Sequence, residues 1–240
     1  MYFKNFPQTL YNFGDAEPFV RFQQLNTYVN LIDQYRDDVT VYEKYTIQPG
    51  ERADTLSFRL YGTTDYYWTF FMANEKLRES GWPLDRTRIY EAAQKNYPHR
   101  AITTATDISD TNFKKGQVVT GSQSGSTGPV VEVKLDLGII IVNSIDNFNS
   151  GETLSVGTGG DTQTCLITSE VAQYDSIHHY ENSDQEYVDI DPLNPNTSGL
   201  IPVTYAERLI NFNDDLSQIS IINPKIIEQV VGQFNKELKA

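Results

Sequence analysis

A chain of 240 residues carrying a net charge of −13, with a pI near 4.6, has no basic excess to meet phosphates. That argues against a general nucleic-acid binder and against docking on anionic lipid headgroups. Its one cysteine, Cys165, excludes an intramolecular disulfide framework, while 39% hydrophobic and 12% aromatic content is enough to build cores.

The first residues, Met1 to Pro7, lack a basic segment followed by an apolar run, so no signal peptide is expected. The longest strongly apolar run, Leu137 to Val142, is too short to span a bilayer and contains Gly138. A soluble protein made in a reducing cytoplasm is expected, with one large domain or two to three small modules.

Residues 1–16 show no clean period and predict an extended arm, whose aromatics Tyr2, Phe3, Phe6, Tyr11 and Phe13 pack on its own body or on a neighbour. From Pro18 to Tyr35, the positions Val20, Leu25, Tyr28, Leu31, Ile32 and Tyr35 approach helical spacing. Val39 to Tyr42 alternates and predicts a strand that continues toward Tyr45–Ile47, where Pro49-Gly50 turns the chain. Asp54 is placed to cap a helix with Leu56 and Leu60 facing a core, and Gly62 to end it. A second helix, capped by Thr64 or Asp65, covers Tyr66 to Ala73 and is aromatic or apolar at seven of eight positions. A helix with no solvent face must be covered on several sides. Residues 75–84 read as a polar loop closed by Gly81-Trp82-Pro83-Leu84, followed by a helix from Arg86 to Lys95.

Residues 101–172 lose helix formers and predict short strands at 117–120, 130–134, 138–142, 153–156 and 164–168, as in a small barrel or sandwich. Within them the pattern F-x-x-G-[QE]-x-x-[ST] occurs twice, from Phe113 and from Phe148. In each copy Phe would anchor a turn and Gly would permit positive φ before a strand. Residues 173–202 predict a linker with some strand around Tyr187–Ile190. Thr204 and Glu207 form a capping box that opens a helix through Leu209 and Ile210, and Leu216 to Ile222 reads as extended. Asn223-Pro224 then starts a last helix with an apolar stripe of Ile226, Ile227, Val230, Val231, Phe234 and Leu238.

No set of residues gathers catalytic chemistry. His178 and His179, with Glu181, Asp184, Glu186, Asp189 and Asp191, suggest a metal site, but adjacent residues on an extended chain point to opposite faces. The acidic spacing also misses the calcium-loop pattern. Gly157 to Gly160 lacks the Gly-Lys-Ser/Thr of a phosphate loop, and Ser122, Ser124 and Ser126 do not form a nucleophile elbow. Cys165 sits in an apolar run and reads as a buried, inert thiol. No catalytic residue, cofactor or metal is expected.

The run Tyr45-Thr46-Ile47-x-Pro49-Gly50, then Thr55-Leu56-Ser57, Leu60-Tyr61-Gly62 and Asn74, resembles the opening of a LysM module, a small βααβ fold that binds N-acetylglucosamine polymers. Where LysM closes with a second strand, this chain has Gly81-Trp82-Pro83-Leu84 and a further helix. With Trp68, Asn74, Trp82-Pro83-Leu84, a segment from Val203 to Glu207 and Asn223-Pro224, the chain is similar to the LysM-containing baseplate wedge subunits of T4-like contractile-tailed bacteriophages. The similarity spans about residues 41–98 and 176–240. It implies a structural virion protein of the tail baseplate, assembled in the host cytoplasm, whose partners are other wedge proteins and neighbouring wedges.

The expected architecture is α+β and multi-modular. It comprises an N-terminal arm and helix (1–40), a LysM-like βαα module with an extra helix (41–98), an inserted all-β domain (101–172), and a linker with a C-terminal helical assembly segment (173–240). Partner-facing candidates are Tyr61, Tyr66, Tyr67, Trp68, Phe70, Phe71, Trp82, Ile226, Val230 and Phe234, of which Tyr61, Tyr67, Trp68 and Phe71 are equally readable as local core. Two other functions compete with wedge joining. One is LysM-type binding of peptidoglycan or chitin, which leaves room for a weak glycan contact. The other is a LysM-anchored wall hydrolase using carboxylates among Asp107, Asp110, Glu132, Asp136, Asp146 and Glu152.

Overall fold

The computed structural model describes residues 8–12, 14, 19–23, 41–105, 108, 113–191, 193 and 195–237. Strand β1 (Gln8–Tyr11) pairs antiparallel with β2 (Val20–Gln23), Tyr11 facing Val20. The helix expected from Pro18 thus begins as a strand, since Val20-Arg21-Phe22-Gln23 alternates with period two and pairing rewards that alternation. The rest of that expected helix, most of the arm, Val39-Thr40 and Leu238 lie outside the described residues.

The chain continues through β3 (Tyr42–Thr46), α1 (Ala53–Tyr61), a 3₁₀ turn at Thr64–Tyr66, α2 (Trp68–Ala73), α3 (Glu75–Ser80) and α4 (Arg86–Asn96). Then come β4 (Arg100–Thr104), β5 (Val118–Gly121), β6 (Thr127–Lys134), β7 (Ile139–Val142), β8 (Thr153–Val156), β9 (Gln163–Ala172), β10 (Ile177–Glu181), β11 (Tyr187–Val188) and β12 (Ile201–Thr204). It ends with α5 (Tyr205–Ser217), β13 (Gln218–Ile222) and α6 (Ile227–Glu237). The fold is α+β and divides into two compact units, Met1–Asp85 with Asn213–Ala240, and Arg86–Phe212.

In the first unit, Leu56 and Leu60 of α1 face the core, and Gly62 ends the helix in the left-handed conformation (φ 73°). Asp54 is the second residue of α1 rather than its cap. Its carboxylate accepts the Thr55 N–H at 2.9 Å and pairs with Arg52 at 3.0 Å, while the Arg52 N–H meets Thr55 Oγ1 at 3.3 Å. The polar stretch after Asn74 folds as α3 instead of a loop. Glu, Lys, Leu and Arg are good helix formers, and Leu77 alone anchors the helix in the core. The strand that pairs with β3 is β13, from the far end of the chain, with Thr46 opposite Gln218 and Tyr42 opposite Ile222. Leu216 and Ser217, expected as extended, close α5 instead. Asn223-Pro224 precedes α6 by a turn, in which Asn223 Oδ1 accepts the Lys225 N–H at 2.9 Å.

The second unit contains a closed six-stranded antiparallel barrel in the order β4-β7-β6-β5-β8-β9. Ile102, Val119, Val130, Ile140, Val142, Leu154, Val156, Cys165 and Ile167 fill it. The run Ile139-Ile140-Ile141-Val142 is apolar throughout because its outward residues, Ile139 and Ile141, are also buried, with Ala101 and against Ile177. The repeated motif is a structural repeat. Phe113 and Phe148 are both buried, and Gly116 and Gly151 have φ 89° and 84°. Gln117 and Glu152 each accept a backbone N–H three residues back, from Lys114 at 2.8 Å and Asn149 at 2.6 Å. Gly116 N–H reaches Val130 O as Gly151 N–H reaches Ile167 O, both at 2.8 Å. Residues 173–202, expected as a linker with some strand around Tyr187–Ile190, do hold a strand there, β11, but it belongs to a three-stranded sheet in the order β11-β10-β12. The Thr204–Glu207 capping box forms reciprocally, at 2.8 and 3.1 Å.

Candidate functional site

Most of the residues that carry the wedge-subunit resemblance fall in the first unit, where Asn74 and Tyr61 hold its returning strand, whereas Val203 to Glu207 fall in the second. The register places the outer edge of β13 at Ser220 and Ile222, because Ile47 N–H bonds Ser217 O and Asn223 N–H bonds Val41 O across the inner edge. Asn74 covers Ser220. Its Nδ2 donates to Ser220 O and to Phe70 O, and its Oδ1 accepts the Ser220 N–H, all at 2.8 Å. A side-chain amide carries the donor and acceptor of a peptide, so Asn74 acts as one residue of a third strand. Tyr61 covers the next position, donating to Ile222 O at 2.9 Å, and burial pushes its phenol well above the ordinary range. Asn213 repeats the device where the chain re-enters the unit: its Oδ1 accepts the Leu84 N–H at 2.7 Å and its Nδ2 donates to Leu84 O at 3.1 Å.

The apolar helix α2 is covered within this unit. Phe70 lies 5.8 Å from the Tyr61 ring and 5.9 Å from Trp82, Phe71 lies 5.8 Å from Trp82, and Trp68 lies 4.6 Å from Phe234. Trp82 also donates its indole N–H to Glu51 O at 2.6 Å, pinning the turn between β3 and α1. The Glu51 carboxylate accepts from the Tyr45 hydroxyl at 3.0 Å and the Gln48 N–H at 3.1 Å, and pairs with Arg59 at 2.6 Å.

The sequence-derived partner set therefore divides by burial. Trp68, Phe70, Val230 and Phe234 are buried, whereas Tyr61, Tyr66, Phe71, Trp82 and Ile226 are half-buried. Tyr67 is the exposed member, at 36%. The larger exposed apolar side chains of this unit lie elsewhere: Leu10 (61%), Phe19 (67%) and Phe22 (44%) around the β1–β2 hairpin, and Phe58 (63%) on α1. Phe58 was legible in principle. It sits two residues from both Leu56 and Leu60, on the helix face turned from the core.

The remaining chemical candidates are occupied structurally. Among the described residues, no group of three or more His, Cys, Asp or Glu is placed to hold a metal ion. Glu152, fully buried, accepts the N–H groups of Gln123 (2.7 Å), Ser124 (2.8 Å) and Asn149 (2.6 Å) and the Ser124 hydroxyl (2.7 Å). Burial pushes its carboxyl up, but these donors more than offset it and hold it below the usual range. Ser122 and Ser126 also serve the fold, through Thr153 N–H and Asn147 O. Burial pushes the Cys165 thiol up to about 11. A cavity of about 270 Å³ in the second unit is lined by Thr104, Leu137, Tyr180 and Ile190 among others. Of its described lining residues, Asp136 alone is charged. Glu132 and Asp146 are exposed, and Asp107 and Asp110 lie outside the described residues. Among the described residues, no helix is long and apolar enough to cross a membrane.

Curated proteins offer no match to this chain. Residues 1–113 match the phage family model of base plate wedge protein 53, covering all of the first unit's N-terminal part together with α4 and β4. Over these residues the chain is similar to base plate wedge protein 53 of phages.

Proposed function

We propose that this protein is a non-catalytic component of a T4-like contractile-tail baseplate, where it joins neighbouring wedges through protein–protein contacts. The observation that carries this reading is the match of residues 1–113 to base plate wedge protein 53. The apolar surface of the first unit supports it: Leu10, Phe19 and Phe22, with Phe58 and Tyr67 on the helical part, offer contacts that a lone chain leaves in water.

We further read the first unit as a LysM-type βααβ module in which β3, α1 and α2 are closed by β13 after the second unit has been inserted. A weak glycan contact is the second reading, favoured by that element order alone.

The test is incorporation into tails. A full-length chain with Leu10, Phe19 and Phe22 changed to Ser keeps the tryptophan-reported unfolding of the wild type but is lost from purified baseplates. Normal incorporation of this variant removes the hairpin from the interface. Failure of the wild-type chain to enter baseplates removes the whole reading.

A further inference from the structure

His178 and His179, which hold no metal-like cluster, are joined in a hydrogen-bonded chain whose direction is fixed by chemistry. Arg208 NH1 lies 3.2 Å from His178 Nε2, His178 Nδ1 lies 2.9 Å from His179 Nδ1, and His179 Nε2 lies 2.9 Å from Glu181 Oε1. A guanidinium cannot accept, so His178 Nε2 must carry the lone pair. Its proton then sits on Nδ1 and is donated to His179 Nδ1, which leaves the His179 proton on Nε2, aimed at the Glu181 carboxylate. Only one arrangement of protons satisfies all three contacts, and both imidazoles are neutral in it.

We propose that this chain is an acid-sensitive latch that fastens β10 to α5, closed when both imidazoles are neutral and opened by protonation of either one. A second proton on His178 points Nε2–H at the Arg208 N–H. A second proton on His179 points Nδ1–H at the His178 N–H. In either case a donor faces a donor and a link is lost. The surroundings sharpen the response. From β6, Lys134 Nζ donates to His178 O at 3.0 Å. Arg208 and the Tyr205 ring (4.8 Å from His178) approach from α5, and Tyr187 of β11 stacks on His179 at 5.0 Å. Among the described residues, Glu181 is the one anion hydrogen-bonded to the pair, and Asp136 and Asp189 bear on Tyr187 beside it. Burial, then Lys134, Arg208 and His179, push His178 down to about 4 from its ordinary 6.5. Because the folded state holds the neutral form, the unfolded chain binds the proton first. The latch therefore contributes fully above about pH 6.5 and is lost as the pH falls toward about 4.

The chain has three histidines, so nitrogen-detected NMR of the full-length protein resolves the tautomers directly. The expected result at pH 7 is His178 protonated at Nδ1 and His179 at Nε2. Between pH 6.5 and 4.5, the amides of 177–181 and 205–209 should lose at least tenfold in exchange protection while those of β5 and β8 do not. Arg208→Ala should let His178 titrate at a higher pH than in the wild type. The proposal is overturned if His178 carries its proton on Nε2 at pH 7, or if the protection of these two segments stays constant over that range.

Discussion

Replacing Asn74 tests whether one side chain holds the returning strand. In Asn74→Ala, Ser220 loses the partners of both its N–H and its C=O, and Phe70 O loses a donor. The site is half-buried, so water recovers part of the loss. Three hydrogen bonds at a net ~1 kcal/mol each give about 2–3 kcal/mol. For a unit near 100 residues that lowers the midpoint by on the order of 10 °C. Asn74→Asp is the sharper variant. Two of the three partners are carbonyls, so a carboxylate keeps the Ser220 N–H but sets anionic oxygen against Ser220 O and Phe70 O. At pH 7 it should destabilise at least as much as Ala, with partial recovery where the acid protonates. Both tryptophans, Trp68 and Trp82, lie in this unit, so fluorescence-detected urea unfolding of the full chain reports it selectively. An Asn74→Ala shift below about 0.5 kcal/mol, or an Asp variant as stable as wild type at pH 7, would refute the strand-clasp reasoning.

Other outcomes follow from single sites. Glu152→Ala orphans the N–H groups of Gln123, Ser124 and Asn149 and, at about 1 kcal/mol net for each hydrogen bond lost, should cost about 3 kcal/mol, read as faster amide exchange in β5 and β8. Because its folded carboxyl lies below its ordinary 4.5, the wild-type contribution is complete above that pH and lost as the pH falls through the folded value, a dependence Glu152→Ala should abolish. Gly151→Ala should cost about 1–2 kcal/mol from its φ of 84° alone, since no atom lies within 4 Å of the added Cβ; Gly160→Ala, equally open and without positive φ, should be neutral in the same thermal melts. Cys165, buried and with its thiol raised to about 11, should react with a disulfide reagent at pH 8 only as fast as the barrel opens; immediate reaction in native buffer contradicts its placement.

Local chemistry was legible where one residue type answers one need. Gly62 ends α1, Thr204 and Glu207 cap α5, and Thr153–Val156 forms the strand its alternation predicts. Long-range pairing was not. Nothing near Tyr42–Thr46 says that its partner is Gln218–Ile222, since a strand's hydrophobic alternation specifies a face and not a neighbour. The same gap made α2 look like surplus surface. Its aromatics are covered by Trp82 and by Phe234, the latter distant in the chain. Strands β4, β10 and β12 were missed, while β11 was expected, because polar residues such as Arg100 and His178, paired with Glu170 and Arg208, break the apolar run. Asn74 reads as a helix-end residue, yet it and Asn213 each work as a peptide mimic against a segment far along the chain. The repeated motif held the clearest unused signal: the position shared by Gln117 and Glu152 predicts a common turn, and both side chains close it in the same way.

The central claim, a structural role between baseplate wedges, is tested most directly by a cross-linking map of assembled tails containing this chain. Wedge joining predicts cross-links from the first unit, at Lys44 and Lys76 and beside the β1–β2 hairpin, to other baseplate proteins of the same and neighbouring wedges. A map in which no residue of 8–85 contacts another baseplate protein, or in which the chain is absent from the tail, would contradict it.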